Sequence, residues 1–292
     1  MDIGTKSDRT EQVGVSIIGE GLAVEYWVRV APDVRIYVND INPGGRNPIL
    51  FIHGWPINHR MFEYQYNALL GAGIRCIGID MRGYGLSDKP VWGYDYNTLA
   101  DDVRGVIDAL GLRGITLSGH STGGAVAIRY MARHQGHGVS KLALFAAAAP
   151  SLIQRPNFPH GLKLSDVEEI INAAHTDRPQ MLWDFGEKLF YKKVTAPFSE
   201  WFFQLGLQAA SWSTIAIAHS WISEQLFQDL GQIRVPTLIL HGIHDQVCLY
   251  PLALAQNQGI AHSKLVPMEE SGHGLFYDQR EEFNRELLGF IR

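Results

Sequence analysis

Only two cysteines, Cys76 and Cys248, occur in 292 residues. Two thiols build neither a disulfide framework nor a cysteine-based zinc site, so both are expected to be free, Cys76 inside an apolar strand and Cys248 near a candidate catalytic loop. No run reaches 18 uninterrupted apolar residues. The first residues, Met1-Asp2-Ile3-Gly4-Thr5-Lys6, hold neither a basic start followed by an apolar stretch nor a cleavage site. The expectation is a soluble, cytoplasmic chain with no membrane partner. Positive charge is not in excess, with 25 Lys and Arg against 30 Asp and Glu, so nothing marks a nucleic-acid or anionic-membrane partner. Internal repeats and low-complexity tracts are absent as well. What remains is 46% hydrophobic, enough for a large core, with disorder expected only over the first ten or so residues. A small, neutral or weakly polar substrate suits that balance, and a homo-oligomer stays open.

Alternation of apolar and polar residues at Tyr26, Val28, Val30 and then Val34, Ile36, Val38, with Ala31-Pro32-Asp33 between, predicts an antiparallel hairpin. Short continuous apolar runs follow at Ile49 to Ile52, Ile74 to Ile79, Ile115 to Leu117, Leu142 to Ala149 and Thr237 to Leu240. Such runs describe parallel strands buried on both faces. Between them, Leu99, Val103, Val106, Ile107 and Leu110 share one helical face, with a start at Asn97 or Thr98 and a stop at Gly111. The pattern is α/β, a mostly parallel doubly wound sheet with antiparallel N-terminal strands. From 151 to 231 the strand signal gives way to helical patterns holding 12 of the 31 aromatic residues, among them Trp183, Phe185, Phe190, Trp201, Phe202, Phe203, Trp212 and Trp221. We therefore read residues 1–150 and 232–292 as two parts of one core and 151–231 as a helical cap or lid insertion, some of whose aromatics line an apolar pocket.

Gly119-His120-Ser121-Thr122-Gly123 places one serine between glycines where an apolar strand meets a helix. There a sharp turn pushes the hydroxyl out of the sheet. A serine hydroxyl needs a base, and the base needs an orienting acid. His273, on a glycine-flanked loop after the last strand run, Lys264 to Met268, sits where such a fold carries its site and is the candidate base. Asp245 follows the run Thr237 to Leu240 and is the candidate acid; the run ending in Ala149-Pro150 offers none. His244 beside it is expected to be a surface residue. Negative charge developing on the substrate oxygen needs fixed donors. The Thr122 N–H, at the positive end of its helix, and the Trp55 N–H in His53-Gly54-Trp55-Pro56 are the candidates. Pro56 restricts Trp55, and His53 is expected to order the loop without transferring protons. His134 and His137 lack a third ligand, so no metal is expected.

Over about 45–150 and 232–292 the chain resembles the α/β-hydrolase superfamily, through H-G-W-P at 53–56, Asp80-Met81-Arg82-Gly83-Tyr84-Gly85-Leu86-Ser87, G-H-S-T-G-G at 119–124, H-G-x-x-D at 241–245 and S-G-H-G at 271–274. The resemblance implies the α/β-hydrolase fold, the triad order Ser121, Asp245, His273, and no cofactor. The stretches Gly93 to Asp102, Ser121 to Gly124 and Arg129-Tyr130 look like the cofactor-free haloperoxidases and their arylesterase and lactamase relatives. After the turn the chain has Ala125-Val126-Ala127 where that group often has a further glycine and an acidic residue. H-G-W-P and R-G-Y-G-x-S also resemble epoxide hydrolases, but those enzymes attack with an aspartate. A serine there would form an ether that water does not cleave, so Ser121 points to acyl transfer. The expected activity is hydrolysis of small carboxylic esters or related acyl substrates. Alternatives are perhydrolysis, in which hydrogen peroxide accepts the acyl group and yields a peracid, and lactam or carbon-carbon bond hydrolysis. A non-catalytic binding protein would be expected to have lost the serine, base or acid, and none is lost.

Overall fold

The computed structural model describes the backbone of residues 10–18 and 21–292, with side chains from residue 23 onward. The first nine residues, which carry most of the expectation of a disordered start and all of the expectation of no leader, lie outside the described residues. Strands β1 (Thr10–Ile18), β2 (Gly21–Ala31) and β3 (Val34–Ile41) run antiparallel. β2 and β3 form the expected hairpin, pairing Val28 with Ile36 and Tyr26 with Val38. The core elements follow in alternation: β4 (Arg46–Ile52), a 3₁₀ turn (His59–Phe62), α1 (Glu63–Leu70), β5 (Ile74–Ile79), α2 (Tyr96–Ala109), β6 (Ile115–His120), α3 (Thr122–Arg133) and β7 (Val139–Phe145). Then come α4 (Leu164–Leu189), α5 (Ala196–Leu207), α6 (Ser211–Ser223) and α7 (Phe227–Leu230). After these lie β8 (Thr237–Gly242), α8 (Pro251–Gly259), β9 (Ser263–Met268), α9 (Leu275–Asp278) and α10 (Arg280–Ile291).

Among the described residues nine strands make one sheet in the order β1-β2-β3-β5-β4-β6-β7-β8-β9, with β4 to β9 parallel. Leu50 and Ile52 of β4 join one apolar cluster while Ile49 and Phe51 join another, which is the two-faced burial that a continuous apolar run implies. From β4 the chain passes to β5 on one side and later to β6 on the other. Such a reversal of strand order is where sheets of this kind place a ligand. Cys76 and Cys248 are free and buried. Among the described residues no helix is long and apolar enough to cross a membrane.

Two boundaries differ from expectation and one long helix is broken, each for a local reason. α2 starts at Tyr96 because Asp95 caps it, its Oδ1 accepting from Thr98 N at 2.9 Å. β7 ends at Phe145, so the apolar run to Ala149 is not all strand. Ala146 has φ 44°, and Ala148 N donates to the Ser121 carbonyl, so these alanines turn off the sheet and wrap the serine turn. α4 breaks at Asp177 (φ −149°, ψ 81°), whose Oδ1 accepts from Gln180 N and caps a second helix carrying Pro179 in its first turn.

Candidate active site

Ser121 closes β6 and opens α3 with φ 54° and ψ −121°. A non-glycine residue there carries about 1–3 kcal/mol of strain, so its surroundings must hold it. They do: its N–H donates to the Phe145 carbonyl at 2.9 Å, and its own carbonyl accepts from Gly124, Ala125 and Ala148. The flanking glycines are required by close backbone approach. A Cβ on Gly119 would lie 2.2 Å from the Gly123 oxygen, and one on Gly123 would lie 2.4 Å from the carbonyl oxygens of Ile52 and His53.

Asp245 sits in the turn after β8. Its Oδ1 accepts from Val247 N and Cys248 N, both at 2.8 Å, and its Oδ2 accepts from His273 Nδ1 at 2.8 Å. Burial favours the neutral acid, but the charge and hydrogen bonds of His273 and His241 hold the carboxyl well below the usual carboxylate range. With Nδ1–H given to Asp245, His273 keeps its Nε2 buried and without a hydrogen-bond partner. Ser121 Oγ makes no hydrogen bond to it in this structure and instead lies 3.9 Å from Cys248 Sγ. His244 is exposed and stacks on Tyr191 at 4.0 Å.

Loop 53–56 packs directly on the serine turn, since a Cβ on Gly54 would lie 3.1 Å from Ser121 Cβ and 2.5 Å from His120 Nδ1. The Trp55-Pro56 peptide is cis. Neither the Trp55 N–H nor the Thr122 N–H donates to a protein acceptor among the described loop and cap bonds. His53 Nε2 accepts from Met81 N at 2.9 Å, which leaves Nδ1–H to donate to the Gly54 carbonyl at 2.8 Å. Burial pushes its pKa down to about 4, against the opposing pull of Asp80 and the Gly54 carbonyl. The unfolded histidine titrates near 6.5, so this lowered value gives stability that is present above pH 6.5 and is lost as pH falls towards 4, in all roughly 3 kcal/mol. Urea unfolding midpoints should fall between pH 7 and pH 4.5, and His53→Gln should make that fall shallower; an unchanged slope would contradict the assignment.

Several neighbours of the site escape a reading of motifs. His241 is a second imidazole on Asp245, its Nε2 3.3 Å from Oδ2 and 2.6 Å from the Cys248 carbonyl. The first position of H-G-x-x-D was the available signal. His120, buried and with its pKa lowered well below the ordinary value chiefly by burial, holds the His273 carbonyl through Nε2 at 2.9 Å. Of the insert aromatics, Phe185 and Trp221 pack edge-on to the Trp55 ring at 4.8 and 4.9 Å. Phe190 and Phe202 pack on Phe276 instead, and Trp183 and Trp212 are exposed. A cleft of about 500 Å³ lies between α4 and the acid turn, walled by Ile170, Met181, Phe185 and Val247, with Asp166 and Lys188 also on its lining. Among the described residues no group of three or more His, Cys, Asp or Glu is placed to hold a metal.

The sequence profile of the alpha/beta hydrolase family matches residues 49–286. The AB hydrolase superfamily protein YisY of Bacillus subtilis (strain 168) is 46% identical over 265 residues, covering 91% of this chain and 98% of that protein. A non-heme chloroperoxidase of Kitasatospora aureofaciens is 33% identical over 267 residues, 88% of this chain and 96% of its own. Among solved structures, the esterase from Exiguobacterium antarcticum matches with a TM-score of 0.89 and 44% identity, covering 91% of this chain and 98% of that one.

Proposed function

This chain belongs to the alpha/beta hydrolase family, and from that membership we propose a serine esterase that cleaves small carboxylic esters through an acyl-enzyme on Ser121. The observation that carries the reading is the Asp245–His273 contact at 2.8 Å, which leaves His273 Nε2 bare and buried. In the proposed cycle Nε2 takes the Ser121 proton as Oγ attacks the ester carbonyl. The tetrahedral oxyanion is received by the N–H groups of Trp55 and Thr122, and the start of α3 adds its positive end. The leaving alcohol departs with the proton from His273. Water, deprotonated by the same nitrogen, then releases the acid.

Residues 151–231 act as the lid in this reading. Similarity to an esterase supports the substrate class. p-Nitrophenyl acetate and butyrate should be turned over, with an initial burst of nitrophenol wherever acyl-enzyme hydrolysis is the slow step. A panel from acetate to octanoate that shows no turnover would end the reading.

The similarity to a chloroperoxidase favours a second activity, perhydrolysis, in which hydrogen peroxide replaces water as acyl acceptor. Pro56 would serve it by fixing the Trp55 carbonyl, which accepts a hydrogen bond from the incoming peroxide. Peracid formation from acetate and peroxide should fall in Pro56→Leu. Equal rates would remove Pro56 from the explanation.

A further inference from the structure

Both residues that offer the oxyanion donors are fastened to one helix of the insert. Trp221, near the end of α6, donates Nε1–H to Thr122 Oγ1 at 3.0 Å and sets its ring edge-on to that of Trp55. Trp55 donates its own Nε1–H to the Thr214 carbonyl at 3.0 Å, about two turns earlier on the same helix. All three side chains are buried, Trp55 at 2%, Trp221 at 4% and Thr122 at 0% exposure. α6 is in turn tied to the core at several points. Ser213 Oγ donates to the Gly83 carbonyl and Ser220 Oγ to the Tyr94 carbonyl, both at 2.9 Å. Glu224, just past its end, accepts from Arg129 of α3 and from Tyr96 N of α2. α6 is thus tied to the core at its start and at its end.

We propose that Trp221 is a positioning residue for the oxyanion hole, setting the Thr122 and Trp55 peptides relative to each other from a single helix. The inference rests on the esterase reading and on those two donors. Its physical basis is that donors act only when held about 2.7–3.1 Å from the oxygen as it becomes charged. The Ser121–Thr122 peptide is held on its carbonyl side by three backbone N–H groups, whereas Trp55 lies on a loop, so the bonds to α6 decide where the two N–H groups sit relative to each other. The tryptophan bond fixes the Thr122 rotamer, and the paired rings fix the loop. α6 therefore belongs to the catalytic apparatus as well as to the cover.

Trp221→Phe keeps most of the ring and removes the donor; Thr122→Val keeps the shape and removes the acceptor. Each should lower kcat for p-nitrophenyl acetate by about tenfold with KM within about a factor of two, a loss of the size that small misplacement of a reacting group produces. The double variant should lose no more than either single one, because all three lack the same bond. Affinity for a boronic acid that forms a tetrahedral adduct on serine should fall in step with kcat, and Thr122→Ser should recover most of what Thr122→Val loses. Additive losses in the double variant, or a lowered melting temperature with unchanged kcat and boronate affinity, would overturn the inference. If Trp221→Phe does not fold, Thr122→Val and Thr122→Ser read the same bond from its other end. Ser121→Ala in the same assay separates the two levels: a fully active Ser121→Ala defeats the esterase reading, whereas an inactive Ser121→Ala beside undiminished Trp221→Phe and Thr122→Val defeats only the positioning role.

Discussion

Exchanging Ser121 for alanine should lower p-nitrophenyl acetate turnover by about 10⁵-fold while leaving the melting temperature within a few degrees of the parent. The loss follows from removing the only group proposed to carry the acyl chain, so that water must attack the ester unaided by covalent catalysis. Residual rate comes from binding and the two N–H donors. The fold should tolerate the change because Ser121 Oγ makes no strong hydrogen bond, only a 3.9 Å contact with Cys248 Sγ. The strain at φ 54° is a backbone property and is the same for alanine. Steady-state rates and thermal melts on one preparation test both halves.

Asp245→Asn should lower kcat by about 10⁴-fold near neutral pH. The carboxylate is used on every side: Oδ1 accepts two backbone N–H groups, and Oδ2 accepts His273 Nδ1–H with His241 Nε2 also within 3.3 Å. An asparagine that keeps its oxygen on the backbone donors presents its NH₂ to His273. Two donors then face each other, and the imidazole relieves the conflict by moving its proton to Nε2. That nitrogen can no longer accept the proton of Ser121. The carboxyl also has a linkage role, since its folded pKa lies below the unfolded value near 3.8. Its charge therefore stabilises the fold above that pH, and the contribution is lost as pH falls through the lower folded value. The acid-side fall of stability should accordingly be shallower in Asp245→Asn, measured by urea unfolding between pH 5 and pH 3.

Strand ends were the legible part of this chain. Most continuous apolar runs stop where a polar or glycine-rich stretch begins, and in a parallel sheet those stops share one edge, so Ser121, Asp245, His273 and Trp55 could be placed there from chain order alone. The contacts through which they are held could not. Trp221 and Thr122 are 99 residues apart, and no periodicity says that one insert tryptophan bonds the helix start while Trp212 stays exposed. His241 stayed hidden because a histidine ending a strand reads as packing, and only the turn brings it back onto Asp245. The run Leu142 to Ala149 misled for a related reason. Alanines after Phe145 look like strand, but they are small because Gly124 and the serine turn press against them, with Ala147 Cβ 2.5 Å from where a Gly124 Cβ would be.

Covalent trapping tests most directly whether Ser121 becomes acylated. The protein should react with a fluorophosphonate ester in stoichiometric amount, lose its esterase activity in parallel, and show the mass increment on Ser121 after digestion and sequencing of the peptide. Protein that stays unmodified while still hydrolysing esters, or an increment mapped to any other residue, would contradict the account.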